Sequence, residues 1–530
     1  MKYLIIILML FMQIDICYSQ YRQEWVRSEG QNCNAFGSCV RFDRNNNIYA
    51  TGNYFYNLVK SSIYLLKYDV NGNKLWEKRY GDSLYLVREM DIDKNGNILI
   101  AATYNHHCLT LKYDSTGNLI WSRGLYIDIQ SDVASLKIDK NNNVYVGGTA
   151  IVDIINYYTK FFLVKYDTAG NLIWSHDYLG DGHDNHLKSM AIDKNDNIFL
   201  TGSCTYLYQY GKMTTLKYSS NGNLIWEKRY SSGTGTLSKA IYIDSLNNII
   251  VSGSSTSGNS VIISTVKYEN ISGSIIWSMN FKSDTNSCIE YPVNLAGDNK
   301  NNIYLITSHQ TNESDGNYLT MKYNSNGEIL WVKKYINSVI DANRPAALCV
   351  DKNSNVFITG TVYRNGANFF SIFYDSLGNI IDTFKFCGNI FPTSDRANDI
   401  TIDSNSNVYV IGVGDYDTQG HDKLVLIKYS KTTGIENNSN EIPENYFLSQ
   451  NYPNPFNSTT RIGFRIPIRS YVSIGIFDIL GKEIKVISKG ILNSGFYSYY
   501  FNASELPSGI YFYQLQSDKF TDTKKMVIIK

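Results

Sequence analysis

His176, Asp177, Asp181, His183, Asp184 and His186 crowd into one short stretch of a chain that holds only seven histidines in 530 residues. Of these, Asp181, His183 and His186 offer the donor types that a divalent metal takes. Nothing nearby fixes their geometry, because no helix and no further histidine frames them. The stretch therefore reads as a polar surface loop, with metal binding the less favoured alternative. A second acidic phrase, Asp93-Lys94-Asn95-Gly96-Asn97, echoes the opening of a calcium loop. It lacks the sixth-position glycine and twelfth-position glutamate that such a loop needs, and its repetition along the chain suits a turn. The sequence contains no G-x-S-x-G elbow, P-loop or H-E-x-x-H pair. No catalytic residue is assigned, and no cofactor is expected.

The acidic phrase recurs at Asp43, Asp93, Asp139, Asp193, Asp244, Asp298, Asp351 and Asp403, spaced 46 to 54 residues apart. Short apolar runs repeating at that period mark a radially repeated all-β array, in which each unit buries its face against its neighbours. One unit predicts four strands: Met190–Ile192, Ile198–Gly202, Thr214–Tyr218 and Leu224–Lys228. Asn and Asp tolerate the left-handed backbone of the first turn, and Gly222 supplies the positive φ of the last hairpin. Four antiparallel strands in about fifty residues make one propeller blade. All seven tryptophans (Trp25, Trp76, Trp121, Trp174, Trp226, Trp277 and Trp331) fall on the fourth strand and are expected to wedge between blades.

The phase of the repeat adds a further expectation. Trp25 arrives before any first strand, whereas the unit of Asp403 and Tyr429 ends without a fourth. If Glu24-Trp25-Val26 completes that last unit, the ring has eight blades and no open edge. A seven-bladed count, with the Asp351 or Asp403 unit degenerate, is the alternative, and Asp382 stands where the seventh unit should have its Trp.

A net charge of +1 and a charged fraction of 18% give no footprint for nucleic acid. Lys2, the apolar run Tyr3–Met12 and small residues before Gln20 predict a secretory signal peptide over 1–19. Export permits disulfides, but seven mature cysteines scattered singly do not form a framework. Cys33–Cys39 is the one bridge that the spacing allows.

The repeats resemble those of bacterial secreted β-propeller proteins, with Ile192-Asp193 through Gly202 and Lys217-Tyr218 through Trp226 fitting that phrase closely. Asp114 through Trp121 is also similar to the repeats of eight-bladed quinoprotein dehydrogenases. The adjacent cysteines that often cover the quinone there are absent, so only blade geometry carries over. After Gly434 the composition changes. Phe447 through Asn457 contains Asn451, Pro453, Pro455 and Phe456; Ile476 through Glu483 contains Gly481; Leu506 through Tyr513 contains Gly509; the chain ends on Lys524, Lys525 and an apolar run. Alternating strands with Gly and Pro punctuation predict a small Ig-like β-sandwich. Together these motifs resemble the type A sorting domain of the type IX secretion system. That resemblance implies passage by the Sec and type IX machineries, cleavage of the domain, and release or attachment to surface polysaccharide.

The expected organisation is a signal peptide (1–19), an eight-bladed propeller (20–434), a linker (435–445) and a sorting domain (446–530). The expected function is a non-catalytic binding module for a glycan, peptide or protein, secreted or held at the cell surface. A structural or adhesive envelope component is the first alternative, and a propeller hydrolase, lyase or quinoprotein-like enzyme the second. Ligand contacts are expected on the face with unlike loops, at Tyr54, Phe55, Tyr56, Tyr157, Tyr158, Tyr206, Tyr208 and Tyr210.

Overall fold

The computed structural model describes residues 21–529 apart from residues 31–32, 58–59, 157, 181–182, 206–210, 259, 283–288, 311–315, 336–342, 364–365, 389–392, 415–419, 432–435, 438–442, 444, 458, 493 and 504–505. The chain divides into two compact units, one running from Gln23 to Ser430 and the other from Lys431 onward. Among the described residues no helix is long and apolar enough to cross a membrane.

The first unit repeats one four-stranded antiparallel sheet. In the fourth copy the strands are Asp184–Ile192, Ile198–Thr205, Lys212–Tyr218 and Leu224–Tyr230, hydrogen-bonded in that order. Sheets 1 to 7 occupy residues 34–83, 85–125, 130–178, 184–230, 235–281, 289–335 and 344–386. Sheets 5 and 6 are joined by one parallel pair, Val261 opposite Ile289. The eighth sheet is assembled from both ends of the unit: Arg396–Ile402, Val408–Gly414 and Lys423–Lys431, with Tyr21–Glu29 hydrogen-bonded to the last of these. The first strands of successive sheets are neighbours, and the first strand of sheet 8 lies beside that of sheet 1.

The first strands are longer than the sequence predicts, as Asp184–Ile192 is against Met190–Ile192, and each carries one extra residue. The register shifts between Gly37 and Cys39, Val87 and Glu89, Val133 and Ser135, Leu187 and Ser189, and Ser238 and Ala240. Equivalent shifts fall at Val293, Ala346 and Asn398. These are β-bulges, which re-aim the side chains around them.

The aspartate turns explain themselves chemically. Asp193 Oδ1 accepts from the main-chain N–H of Asn195 at 2.8 Å and of Asn197 at 2.9 Å, while Oδ2 accepts from the Asn197 amide at 2.9 Å. The same three bonds form in all eight sheets, from Asp43 to Asp403. Held by three donors of its own turn, such a carboxylate serves as a turn lock, and Oδ2 also takes donors from outside the turn, as Asp193 does from Asn270 at 3.1 Å.

Neighbouring sheets are joined by a second repeated device. The lysine of each Lys-Tyr pair is buried and donates to a main-chain carbonyl in the hairpin turn of the next sheet. Lys67 reaches Ser115 O at 2.8 Å, Lys165 reaches Ser220 O at 2.9 Å and Lys322 reaches Ser376 O at 2.8 Å. Tryptophan Nε1 atoms donate to the same turns, as Trp121 does to Thr168 O at 3.1 Å and Trp277 to Ser325 O at 3.0 Å. The turn glycine lies under the indole: a Cβ on Gly170 would stand 2.8 Å from Trp121, and one on Gly327 2.7 Å from Trp277.

Sheets 8 and 1 meet through the same parts. Lys428 donates to Val70 O at 3.0 Å, and a Cβ on Gly72 would stand 2.7 Å from Trp25. Trp25, Ala35, Tyr64, Tyr409 and Leu426 share one buried cluster. Sheet 7 departs from the pattern, having Phe373 in place of the lysine and Asp382 in place of the tryptophan. Its joint is aromatic instead, with Phe384 4.3 Å and Phe373 5.7 Å from the Tyr429 ring, centroid to centroid.

The second unit contains two four-stranded sheets around one core. One runs Glu436–Asn437, Gly495–Asn502, Thr459–Ile466, Phe447–Leu448, and the other Glu483–Leu492, Ser470–Phe477, Gly509–Ser517, Phe520–Ile528. Leu448, Phe456, Phe464, Ile474, Tyr513, Leu515 and Met526 fill the space between. Glu436 and Asn437, expected in a linker, pair with Ser498 and Tyr497.

Candidate functional site

The two faces of the repeated unit differ. The face of the aspartate turns is saturated by its own hydrogen bonds. A cleft there of about 410 Å³, between sheets 1 and 2, is lined by Asp43, Arg44, Lys67, Asp93 and Lys94. The groups that hold it together, such as Lys67, are already paired. The opposite face has loops of unequal length, and the bulged first strands open onto it.

Two levels of first-strand residues remain open to solvent on that side. Lys188 and Lys239 are bulge residues of adjacent strands, both exposed, and Arg88 and Asn398 occupy the same level in sheets 2 and 8. Two residues earlier stand Asp132, Leu237, Tyr291, Arg344 and Arg396, again exposed. Asp132 binds Arg88 in a forked pair, with contacts at 2.8 and 2.9 Å. Although the Lys239 side chain reaches solvent, the protein packed around it and then the neighbouring Lys188 ammonium push its amine below its ordinary range.

Deeper in the ring, charges of both signs neutralise each other and tie strands together. Asp399 accepts from Val40 N at 3.1 Å and from Arg41 at 2.6 Å. Glu89 accepts from Leu136 N, Lys137 Nζ and Ser135 Oγ at 2.6 to 2.7 Å. Burial pushes the Glu89 carboxyl up, but Lys137 and these donors outweigh it and hold the group below its usual range. Such groups join sheets 8 to 1 and 2 to 3, and are structural.

The aromatic residues expected at the loops are divided. Tyr56 is 45% exposed and Phe55 half-buried, but Tyr54 is only 4% exposed. Tyr54 sits on an inward-facing position of its strand, T-shaped against Tyr64 at 5.5 Å, with the Arg79 guanidinium 3.8 Å over its ring. It therefore braces the loop from within. Tyr158 stacks on His183 with centroids 4.0 Å apart, and its hydroxyl lies 3.2 Å from His183 Nε2. Tyr157, Tyr206, Tyr208 and Tyr210 lie outside the described residues, as does Asp181. His186 turns away from His183 to pair with Asp184 at 2.7 Å. Among the described residues no three His, Cys, Asp or Glu side chains converge.

Cys33 and Cys39 are free. Cys33 packs toward sheet 8 and Cys39 toward sheet 2, on opposite faces of sheet 1, so the bridge allowed by spacing has the wrong geometry. Burial raises the Cys39 thiol to about 12.

The carboxy-terminal motif residues are organised around one another. Asn451 is buried; its N–H donates to the Tyr513 hydroxyl at 2.8 Å and its amide to Thr460 Oγ1 at 3.0 Å. Both Tyr452–Pro453 and Asn454–Pro455 peptides are cis. Phe456 lies in the core, and its N–H donates to Val527 O at 3.0 Å. Lys525 accepts at its carbonyl from Gln450 at 2.7 Å, and Lys524 flanks it on the same strand. Gly481, at φ 77°, closes a turn on Asp478. Gly509 opens the strand that pairs with Ile528.

Residues 450–530 match the secretion system C-terminal sorting domain, so the protein is one delivered to the cell surface or medium by type IX secretion. The repeated unit has β-propeller architecture. An uncharacterized WD repeat-containing protein of Acanthamoeba polyphaga mimivirus is 23% identical over 389 residues, which is 59% of this chain but only 27% of that protein. Chaetomium thermophilum Sqt1, solved bound to the amino terminus of a ribosomal protein, superposes with a TM-score of 0.52 at 9% identity, over 76% of this chain and 99% of its own. A quinohemoprotein alcohol dehydrogenase from Pseudomonas putida HK5 superposes at 0.50 and 9% identity, over 83% and 80%. One is a binding protein and the other an enzyme, so the likeness fixes the fold alone.

Proposed function

We propose that the chain is an exported, non-catalytic β-propeller that recognises a glycan, peptide or protein outside the cell. It has eight blades, the last completed by the amino-terminal strand. A leader over 1–19 and a sorting domain over 446–530, reached through residues 435–445, carry a propeller of 20–434. Placement of Trp25 over Gly72 and of Lys428 against Val70 O supports the closure, since the same contacts join the interior blades.

The contrast between the two faces carries the functional reading. One face repeats turns whose polar groups are mutually satisfied, while the other presents unlike loops with the exposed Tyr56, the half-buried Phe55 and Tyr158, and an open ring of charge. Tyr157, Tyr206, Tyr208 and Tyr210 belong to the same set of loops, and Tyr54 braces the first of them. Rigid scaffolds with variable loops on one side are where recognition concentrates. Screening the secreted protein against glycan and peptide arrays tests this. Wild type should retain a defined ligand class, and replacing Tyr56, Tyr158, Tyr206, Tyr208 and Tyr210 with Ala should remove that binding without lowering the thermal midpoint. Failure to retain any ligand, or unchanged binding by the variant, would favour a purely structural envelope component.

A further inference from the structure

The open ring on the variable face is not electrically even. Over the arc of sheets 4 to 8, Lys188, Lys239, Arg344 and Arg396 are all exposed, and none has an ion-pair partner among the described residues. Arg344 makes a cation–π contact, 5.6 Å from the Tyr363 ring centroid. Between the lysines and the arginines stand Leu237, 49% exposed, and Tyr291, 46% exposed. Sheets 1 to 3 are different, because their one open cation at the bulge level, Arg88, is committed to Asp132. In a protein of net charge +1, four exposed cations without an ion pair among the described residues share this one arc.

We infer that this arc binds an anionic polysaccharide, a chain carrying carboxylate or sulfate groups, across the mouth of the ring. The inference rests on the binding-module reading and names its ligand class. Four cations on four separate strands do not converge on one enclosed pocket, so a single small anion would meet one or two of them at most. A polymer with a charge on each repeat can meet all four, and weak contacts at separate points then add through effective concentration. Exposed Tyr291 supplies a flat apolar face of the kind that sugar rings pack on, with its hydroxyl free to reach solvent. Delivery to the cell exterior places the site among polysaccharides and away from nucleic acid.

The secreted protein would be run in affinity electrophoresis through gels containing polygalacturonate, dextran sulfate or neutral dextran, at low and at 0.5 M salt. Retardation by one or both polyanions, absent with dextran and abolished by the higher salt, is the expected result; the two polyanion gels separate carboxylate from sulfate recognition. Lys188→Gln/Lys239→Gln/Arg344→Gln/Arg396→Gln should weaken retardation at least ten-fold, while Lys300→Gln/Lys352→Gln on the opposite face should not change it. Thermal midpoints of both variants guard against misfolding. Equal retardation of the four-site variant and wild type would overturn the assignment, as would preference for anionic lipid vesicles or single-stranded DNA over both polyanions. If a neutral glycan or a peptide is bound through the tyrosine loops and neither polyanion is, the ligand class falls while the binding-module reading stands. If no probe or array member binds, both fall.

Discussion

Replacing Trp25 with Ala separates a closed ring from an open one. Trp25 lies nearly 400 residues from the strand it is proposed to complete, yet it is 8% exposed, against 5% for the interior Trp121. It covers Gly72, carries the Arg27 guanidinium 5.1 Å above its ring and packs 6.2 Å from Tyr409. Truncating a buried Trp to Ala costs about 3–5 kcal/mol. Trp121 also donates Nε1 to Thr168 O, whereas Trp25 Nε1 has no acceptor among the described residues. One hydrogen bond is worth about 1 kcal/mol net, so Trp25→Ala should cost about 2–4 kcal/mol and Trp121→Ala the full amount. Urea unfolding followed by tryptophan fluorescence measures both, and all seven tryptophans report on the propeller and none on the sorting domain. A cost for Trp25→Ala below about 1 kcal/mol, in the range of ordinary surface substitutions, alongside full cost for Trp121→Ala would refute the reasoning.

Three further outcomes follow from the same contacts. Lys112 and Asp93 form a buried pair at 3.0 Å; Lys112→Met strands the carboxylate and should cost about 3 kcal/mol, near the low end for a broken buried pair because turn donors still hold Asp93. Adding Asp93→Asn should restore part of that loss in urea unfolding, as sheet 7 already tolerates Phe373 at the lysine position. Slight burial pushes the Asp114 carboxyl up, but the Thr116 hydroxyl and the Asn118 main chain and side chain overcome this and hold it at about 2, below 3.8; Asp69 and Asp167 are lowered by equivalent turns. A depressed folded pKa gives stability that is present above the unfolded value and lost as pH falls through the folded one. The thermal midpoint should therefore decline between about pH 4 and pH 2, less steeply in Asp114→Asn. Finally, Cys39 and Cys108, both raised to about 12 by burial, should resist iodoacetamide in the native protein while exposed Cys387 reacts; a non-reduced tryptic peptide running from Ser28 to Arg41 and lighter by two hydrogens would show that Cys33 and Cys39 are bridged after all.

Much of the architecture is legible because repetition averages out local noise. A single Asp-Lys-Asn-Asp-Asn phrase is only a turn, but eight aspartate turns of that kind and seven tryptophans in register with them announce a ring of similar sheets. The early arrival of Trp25 shows where the sheets interlock. The bulges are only partly legible: Gly37, Pro292 and Pro345 stand beside three of them, but in the other five the extra residue slips the alternation without such a mark, and Lys188 and Lys239 then read as ordinary surface charge. Burial of Lys67, Lys165 and Lys322 is hidden for a similar reason: a lysine before a tyrosine carries no mark that its ammonium will meet a carbonyl in the next sheet. Tyr54 misleads in the other direction. It belongs to an aromatic run that looks like loop decoration, and only the pairing of Ile48–Phe55 with Ser61–Tyr68 turns its ring inward.

Hydrogen exchange on the intact secreted protein tests the closed ring most directly. Amides of Glu24, Trp25 and Val26 should exchange as slowly as those of Leu424–Lys428, the strand they are paired with, and both should open together. Exchange of the amino-terminal segment at the rate of an unstructured tail, with Leu424–Lys428 still protected, would contradict it.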